Sequence, residues 1–193
     1  MENKQIIICV GIPGAGKTTF SKKWVAEDPQ NRYRFNNDEL LNMMTDGVFT
    51  KEAYCAIRDM QTGFIKGVVS QGKSGVLDNT HMNPSVLRNI LLFLDMEIDE
   101  YTNEQYDIII KDFTDVSFDE CSKRNALRQN PVGENFLLKM KNCIPEVKKI
   151  MEEYERAGAV KIEKCDDLYV ININKLENQD HTWISIDRNK FKK

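Results

Sequence analysis

Residues 6–18 read Ile-Ile-Ile-Cys-Val-Gly-Ile-Pro-Gly-Ala-Gly-Lys-Thr. An apolar run passes straight into G-x-x-x-x-G-K-T. This phosphate-loop pattern stands where it must, with a buried strand before it and a helix after it. Glycine frees such a loop to turn successive N–H groups inward, forming an anion nest at a helix N-terminus. The residues expected around a nucleoside triphosphate are Gly11, Pro13, Gly14, Ala15, Gly16, Lys17, Thr18 and Thr19. Lys17 adds a point charge for the β- and γ-phosphates, and the Thr18 hydroxyl is placed to ligate magnesium. ATP and magnesium are therefore the expected ligands. The group that receives a phosphate must be sought elsewhere in the chain.

Working outward, strands and helices alternate. Strands are expected at Lys4 to Val10, Tyr33 to Asn36, Gly75 to Asp78, Tyr106 to Lys111 and Asp167 to Asn174, with a further edge strand at His181 to Ile186. Helices are expected from Lys17 to Glu27, Asp38 to Thr45 and Lys51 to Gln71. Others follow Asn83-Pro84, run from Ser117 to near Gln129, and run from Gly133 to Ala157 with a kink at Pro145. Ile57, Met60, Phe64, Ile65 and Val68 form the expected buried stripe of the long third helix. This alternation predicts an α/β P-loop NTPase fold of the nucleotide-kinase kind: a mainly parallel sheet, helices on both faces and a helical lid at about 117–135. With no linker or repeat, residues 1–193 read as one domain, and ligands belong beyond the carboxyl ends of the strands.

Composition narrows the setting. The 193 residues carry a net charge of -3, with 41% hydrophobic and 30% charged residues, as in a soluble globular protein. No apolar run approaches the ~20 residues of a membrane span, and residues 1–10 lack a signal-peptide layout. Five scattered cysteines without a Cys-x-x-Cys point to a reduced cytoplasmic protein without structural zinc, and Cys9 to a small buried group. The acidic balance excludes a uniformly basic nucleic-acid-binding surface but permits a local basic channel.

Three further clusters stand out, two at strand ends and one on the helix after the fourth strand. Asp38 closes Asn36-Asn37-Asp38, where an acceptor hydroxyl would need a general base; capping of the next helix is the competing role. Val76-Leu77-Asp78 is a short apolar run closed by an acid. Asp78 is thus a candidate to hold magnesium through water, with Asn79, Thr80 and His81 toward the acceptor. Arg124 and Arg128, four apart on an expected helix, could cover phosphate oxygens, although a solvated basic stripe has the same spacing.

Taken together, G-I-P-G-A-G-K-T-T at Gly11–Thr19, N-N-D-E at Asn36–Glu39, D-N-T-H-M-N-P at Asp78–Pro84 and the segment Asp112–Arg128 resemble the 5′-hydroxyl polynucleotide kinase family, notably its phage members. The resemblance spans roughly Ile6 to Met151. It implies Lys17 and Thr18 on ATP and magnesium, Asp38 as general base, Asn36 and Asn79 to His81 near the acceptor, Arg124 near the phosphates and Arg128 activating transfer. It also implies nucleic acid as the substrate. Three departures stand out. The phage enzymes carry arginine three residues after the base, where it grips an acceptor phosphate; this chain has Leu41. Asn79 stands where they have Asp, a change other members share. No D-x-D-G-T phosphatase motif occurs.

The expected activity is transfer of phosphate to the 5′-hydroxyl end of a polynucleotide. One alternative is a kinase of another hydroxyl: a hydroxymethyl base in DNA, a tRNA-linked group or a small molecule. Another is a nucleotide-sensing interaction protein that transfers nothing.

Overall fold

The computed structural model describes residues 3–101, 106–128 and 130–165. Five strands alternate with helices: β1 (Lys4–Val10), α1 (Lys17–Glu27), β2 (Arg32–Phe35), α2 (Asn37–Thr45), α3 (Lys51–Ser70), β3 (Ser74–Leu77), α4 (Pro84–Tyr101), β4 (Tyr106–Asp112), α5 (Phe118–Ala126), α6 (Glu134–Arg156) and β5 (Lys161–Lys164). The sheet order is β2-β3-β1-β4-β5, and every pair is parallel. This is the α/β P-loop NTPase fold. The strands at 167–174 and 181–186 expected from sequence lie outside the described residues.

The order of the strands fixes where a ligand can sit. From β1 the chain moves past β3 to β2, then reverses and stays in the opposite direction through β3, β4 and β5. Right-handed crossovers therefore send α1 to one face and the later connections to the other. On that second face α3 packs on α4, and α4 on α6. The reversal leaves a crevice between the carboxyl ends of β1 and β3, which is the usual ligand position in such sheets. The phosphate loop follows β1, and Asp78 follows β3.

Burial explains the strand patterns. Ile6, Ile8, Cys9 and Val10 are at most 1% exposed, because helices cover both faces of the central strand. Burial pushes the Cys9 thiol up to about 12, so it packs as a small apolar group. Helix starts follow their sequence signals. Asn36, Thr50 and Ser117 accept from the backbone N–H three residues on, and the Asn83 side chain accepts from Ser85 and Val86. Among the described residues no helix is long and apolar enough to cross a membrane.

The structure corrects three expectations. First, β5 occupies Lys161–Lys164, a segment not expected to form a strand. It lies beside β4 at the end of the sheet, as far as the described residues extend, and is mostly exposed, so Lys-Ile-Glu-Lys lacks an apolar run. Second, Met60 is 43% exposed, and the buried stripe of α3 runs instead through Ala53, Ile57, Ile65, Val68 and Val69. Finally, α5 stops at Ala126 rather than near Gln129. The Asn125 side chain explains this: it donates to the Val132 carbonyl at 2.8 Å and accepts from the Val132 N–H at 3.2 Å, folding the chain back. Arg128 therefore lies beyond the helix, and Arg124 and Arg128 do not share a helical face.

Candidate active site

A cavity of about 950 Å³ opens over the crevice. Its floor is the phosphate loop. Gly14 has φ +85°, and a Cβ there would lie 2.2 Å from the Cys121 carbonyl oxygen, so the start of α5 leaves no room for any other residue. Gly16, with φ 98°, precedes α1 and offers no side-chain cap. The first N–H groups of α1 therefore remain available to an anion. Pro13, Gly14, Gly16, Lys17, Thr18 and Thr19 line the cavity. Gly11 instead donates its N–H to the Thr80 carbonyl at 3.0 Å and packs against Phe113, while Ala15 is wholly buried.

Lys17 is 6% exposed and donates to the Ile12 carbonyl at 2.8 Å. Burial lowers its ammonium to about 8, with Asp78 acting in the opposite direction. A polyphosphate would restore the charge. Binding of magnesium-ATP at pH 9 is thus expected to take up a substantial fraction of a proton, and at pH 7 almost none. The sign follows from Lys17 being charged below pH 8 with or without ligand, and above pH 8 only once phosphate arrives. Calorimetry in buffers of different ionisation enthalpy measures this uptake. Equal uptake at both pH values would contradict the placement of Lys17 on the phosphates.

Asp78 is 1% exposed at the end of β3. Its Oδ1 accepts from the Thr18 hydroxyl at 3.3 Å. Its Oδ2 is held by Arg34 through Nε at 2.8 Å and Nη2 at 2.7 Å. Arg34 also pairs with Glu39 through Nη1 at 2.7 Å. Its guanidinium thus ties β2, α2 and β3 together, so Arg34 cannot serve as a free grip for an acceptor phosphate. Burial opposes the Arg34 charge, but hydrogen bonding to Glu39 and the field of Asp78 more than offset this and raise its pKa.

Asn36 and Asn79 are engaged within the protein. The Asn36 side chain accepts from Glu39 N–H at 2.9 Å and donates to the Asp78 carbonyl at 2.6 Å. Asn79 accepts from Asn37 N–H at 2.8 Å, and its amide reaches Gln61 at 3.4 Å. These contacts fix the first turn of α2, where Asp38 sits. Since Asn36 is the cap, the Asp38 carboxylate is spared that task. It is exposed, lines the cavity, and has no hydrogen-bond or ion-pair partner among the described residues.

His81 is 5% exposed with φ 46°. Its Nδ1 lies 2.7 Å from the Cys9 carbonyl and must carry the proton, because a carbonyl only accepts. Burial lowers the ring to about 4. Its Nε2 is consequently an acceptor, buried and unpartnered, in a residue that lines the cavity beside Thr80.

Arg124 pairs with Glu120 through Nη2 at 2.8 Å, while its Nε and Nη1 are buried without partners. Arg128 is exposed, unpaired among the described residues and close enough to Lys17 to oppose its charge. Both line the cavity despite the early end of α5. Sequence reading missed its apolar wall, which includes Phe49, Tyr54, Met82, Ile90 and Phe93. The available signal was the spacing Tyr54, Ile57, Arg58, Gln61, Thr62 and Ile65. It marks a mixed polar and apolar helix face, unlike a core stripe.

A phosphate loop at the end of β1, a buried acid at the end of β3 and a five-stranded parallel sheet define a P-loop NTPase. The chain belongs to the AAA domain family, whose model matches residues 6–143. No curated protein matches it by sequence. Among solved structures, a chain of the Pnkp1/Rnl/Hen1 RNA repair complex is similar, with TM-score 0.63 and 22% identity over 77% of this chain and 46% of that one. A second structure of that complex gives TM-score 0.53 and 21% identity over 69% of this chain and 42% of that one. This chain thus spans less than half the length of those chains. A putative kinase from Chloroflexus aurantiacus gives TM-score 0.51 and 16% identity over 73% of this chain and 76% of that one. The likeness to these structures is one of fold.

Proposed function

We propose that this protein is a kinase that uses ATP and magnesium to phosphorylate the 5′-hydroxyl end of a polynucleotide. The observation that carries the reading is the division of the cavity. Lys17, Arg124 and Arg128 supply donors without carboxylate partners on the phosphate-loop and β4 side, apart from the Arg124–Glu120 contact. The unpartnered Asp38 carboxylate stands on the β2 side. A protein that only sensed nucleotide would need the first group and not the second.

The donor set fits both ligands. Two orphaned, buried Arg124 donors beside an uncapped helix start suit an anion. Among the described residues no cluster of three or more His, Cys, Asp or Glu could hold a metal. Thr18 and Asp78 instead offer one hydroxyl and one carboxylate, the sparse set that suits magnesium shared with phosphates. Magnesium would neutralise charge on the β- and γ-phosphate oxygens. Arg34 would keep Asp78 aimed at Thr18. Asp38 would take the hydroxyl proton as its oxygen bonds to phosphorus, and ADP would leave under the Lys17 charge. Asn36 and Asn79 would position Asp38 rather than touch substrate. Thr80 and His81 would face the acceptor, with His81 Nε2 accepting a hydrogen bond. Residues 117–135 would act as the lid of one kinase domain working in the cytoplasm. Similarity to a chain from an RNA repair complex supports a nucleic-acid acceptor.

Arg124→Ala is expected to raise the ATP concentration for half-saturation, because its inward donors bind ground-state phosphate. Arg128→Ala is expected to lower turnover about 10²-fold with little change in that concentration. Steady-state kinetics on both variants separates these effects. Small, equal losses would mean that neither arginine acts on the phosphates of ATP.

The acceptor is tested by incubating wild type with γ-labelled ATP and a panel: 5′-hydroxyl RNA, 5′-hydroxyl DNA, hydroxymethyluracil DNA and small hydroxyl compounds. Labelled strand ends are expected. Label confined to internal modified bases or small compounds would overturn the polynucleotide-end assignment while keeping the kinase.

A further inference from the structure

On α3, Tyr54, Arg58 and Thr62 recur every fourth residue and line the cavity. They are neighbours on one helix face. The Arg58 guanidinium has no hydrogen-bond or ion-pair partner among the described residues. Its helical neighbours three and four away are Tyr54, Cys55, Gln61 and Thr62, so no carboxylate of α3 stands at helical contact spacing from it. The other cavity-lining cations are Lys17, Arg124, Arg128 and Lys139, from the phosphate loop, the segment after β4, and α6. Arg58 alone among the described lining cations comes from the β2–β3 connection, which also carries Asp38.

Beside it stands an aromatic pair. Phe49 is 67% and Tyr54 41% exposed, with ring centroids 5.8 Å apart and planes tilted by 48°. Both line the same cavity. Large aromatic faces left open beside an unbalanced arginine are the elements that hold a single nucleotide: the base stacks, and the arginine pairs with phosphate. A 5′-hydroxyl end lacks phosphate on its 5′ side, so the anion nearest its first sugar is the phosphate on the 3′ side.

We propose that Arg58 and the Phe49–Tyr54 pair form the subsite for the first acceptor nucleotide. Arg58 grips its 3′-phosphate and the aromatic pair receives its base. The assignment deepens the kinase reading and rests on it for the orientation of the nucleotide. It explains how a strand end is held although residue 41 is leucine and Arg34 is committed to Asp78 and Glu39. Leu41 then contributes wall, not charge.

Binding tests this without requiring transfer. A nucleoside 3′-monophosphate and the matching nucleoside are titrated, with magnesium and a non-hydrolysable ATP analogue present, into wild type, Arg58→Ala, Arg58→Lys and Phe49→Ala. Wild type is expected to prefer the monophosphate by about 10-fold or more. Arg58→Ala should erase that preference, and Arg58→Lys should retain part of it. Phe49→Ala should weaken both ligands by about 5-fold or more and keep their ratio. Affinity for the ATP analogue should stay the same in all four proteins. No preference in wild type, or one that survives in Arg58→Ala, would overturn the subsite. A wild type that shows the Arg58-dependent preference but labels no 5′-hydroxyl end keeps the subsite and loses the proposed activity.

Discussion

Lys17→Met is expected to lower turnover by about 10²–10³-fold or more, the scale on which a single charge aimed at developing negative charge contributes. The same change should leave the fold at least as stable. Lys17 is 6% exposed, and among the described residues its ammonium donates only to the Ile12 carbonyl. Its depression to about 8 from the ordinary lysine value means that burial of the charge opposes folding at neutral pH, by roughly 3 kcal/mol at most. Because the folded pKa is the lower one, this penalty is complete below pH 8 and fades as pH rises toward the unfolded value. Methionine removes it and fills most of the same volume. The melting temperature of Lys17→Met at pH 7 should equal or exceed that of wild type, and any gain should shrink toward pH 10. A variant that retains a tenth of wild-type turnover, or one that unfolds, would refute this account of the loop.

Asp38→Asn is expected to lower turnover on the order of 10²–10⁴-fold with nearly unchanged ATP affinity. Asparagine keeps the size of the side chain and cannot accept the hydroxyl proton. The structure sharpens this expectation, because the capping role that competed for Asp38 belongs to Asn36. Loss of stability cannot then explain the loss of rate. Thermal melting, ATP-analogue titration and single-turnover transfer should be measured on the same preparation. A collapse of nucleotide binding would instead place Asp38 on the metal, and unchanged turnover would remove it from the chemistry.

Legibility in the sequence tracked physical cause. The β1 run and the loop after it were readable because burial on both faces and close backbone approach each leave a residue-type signature. Asp78 was readable because an acid closing a buried strand is unusual in composition. Its restraint by Arg34 was not, because β2 and β3 become neighbours only in the fold, and Arg34 alone reads as a spare charge. The fate of Asn36 and Asn79 was hidden for the same reason: Asn36 reaches the Asp78 carbonyl, and Asn79 the Asn37 N–H and the Gln61 side chain, partners distant in sequence. Local spacing misled at Arg128, where a helix period was extended past a break made by Asn125 and Val132, seven residues apart. It misled again on α3, where Met60 was placed inside although it is 43% exposed, while Ile57, Ile65 and Val68 are buried as expected. Strand β5 escaped because an exposed polar segment carries no burial pattern.

The central claim is that the terminal phosphate of ATP moves to a strand end under Asp38. The most direct test is to incubate wild type and Asp38→Asn with magnesium, γ-labelled ATP and a 5′-hydroxyl oligoribonucleotide. The strand is then digested to 5′-mononucleotides and the label is located. Wild type should place it on the nucleotide from the 5′ end, with ADP formed in equal amount, and Asp38→Asn should place almost none there. Label found only as free phosphate, or equal labelling by the two proteins, would contradict the claim.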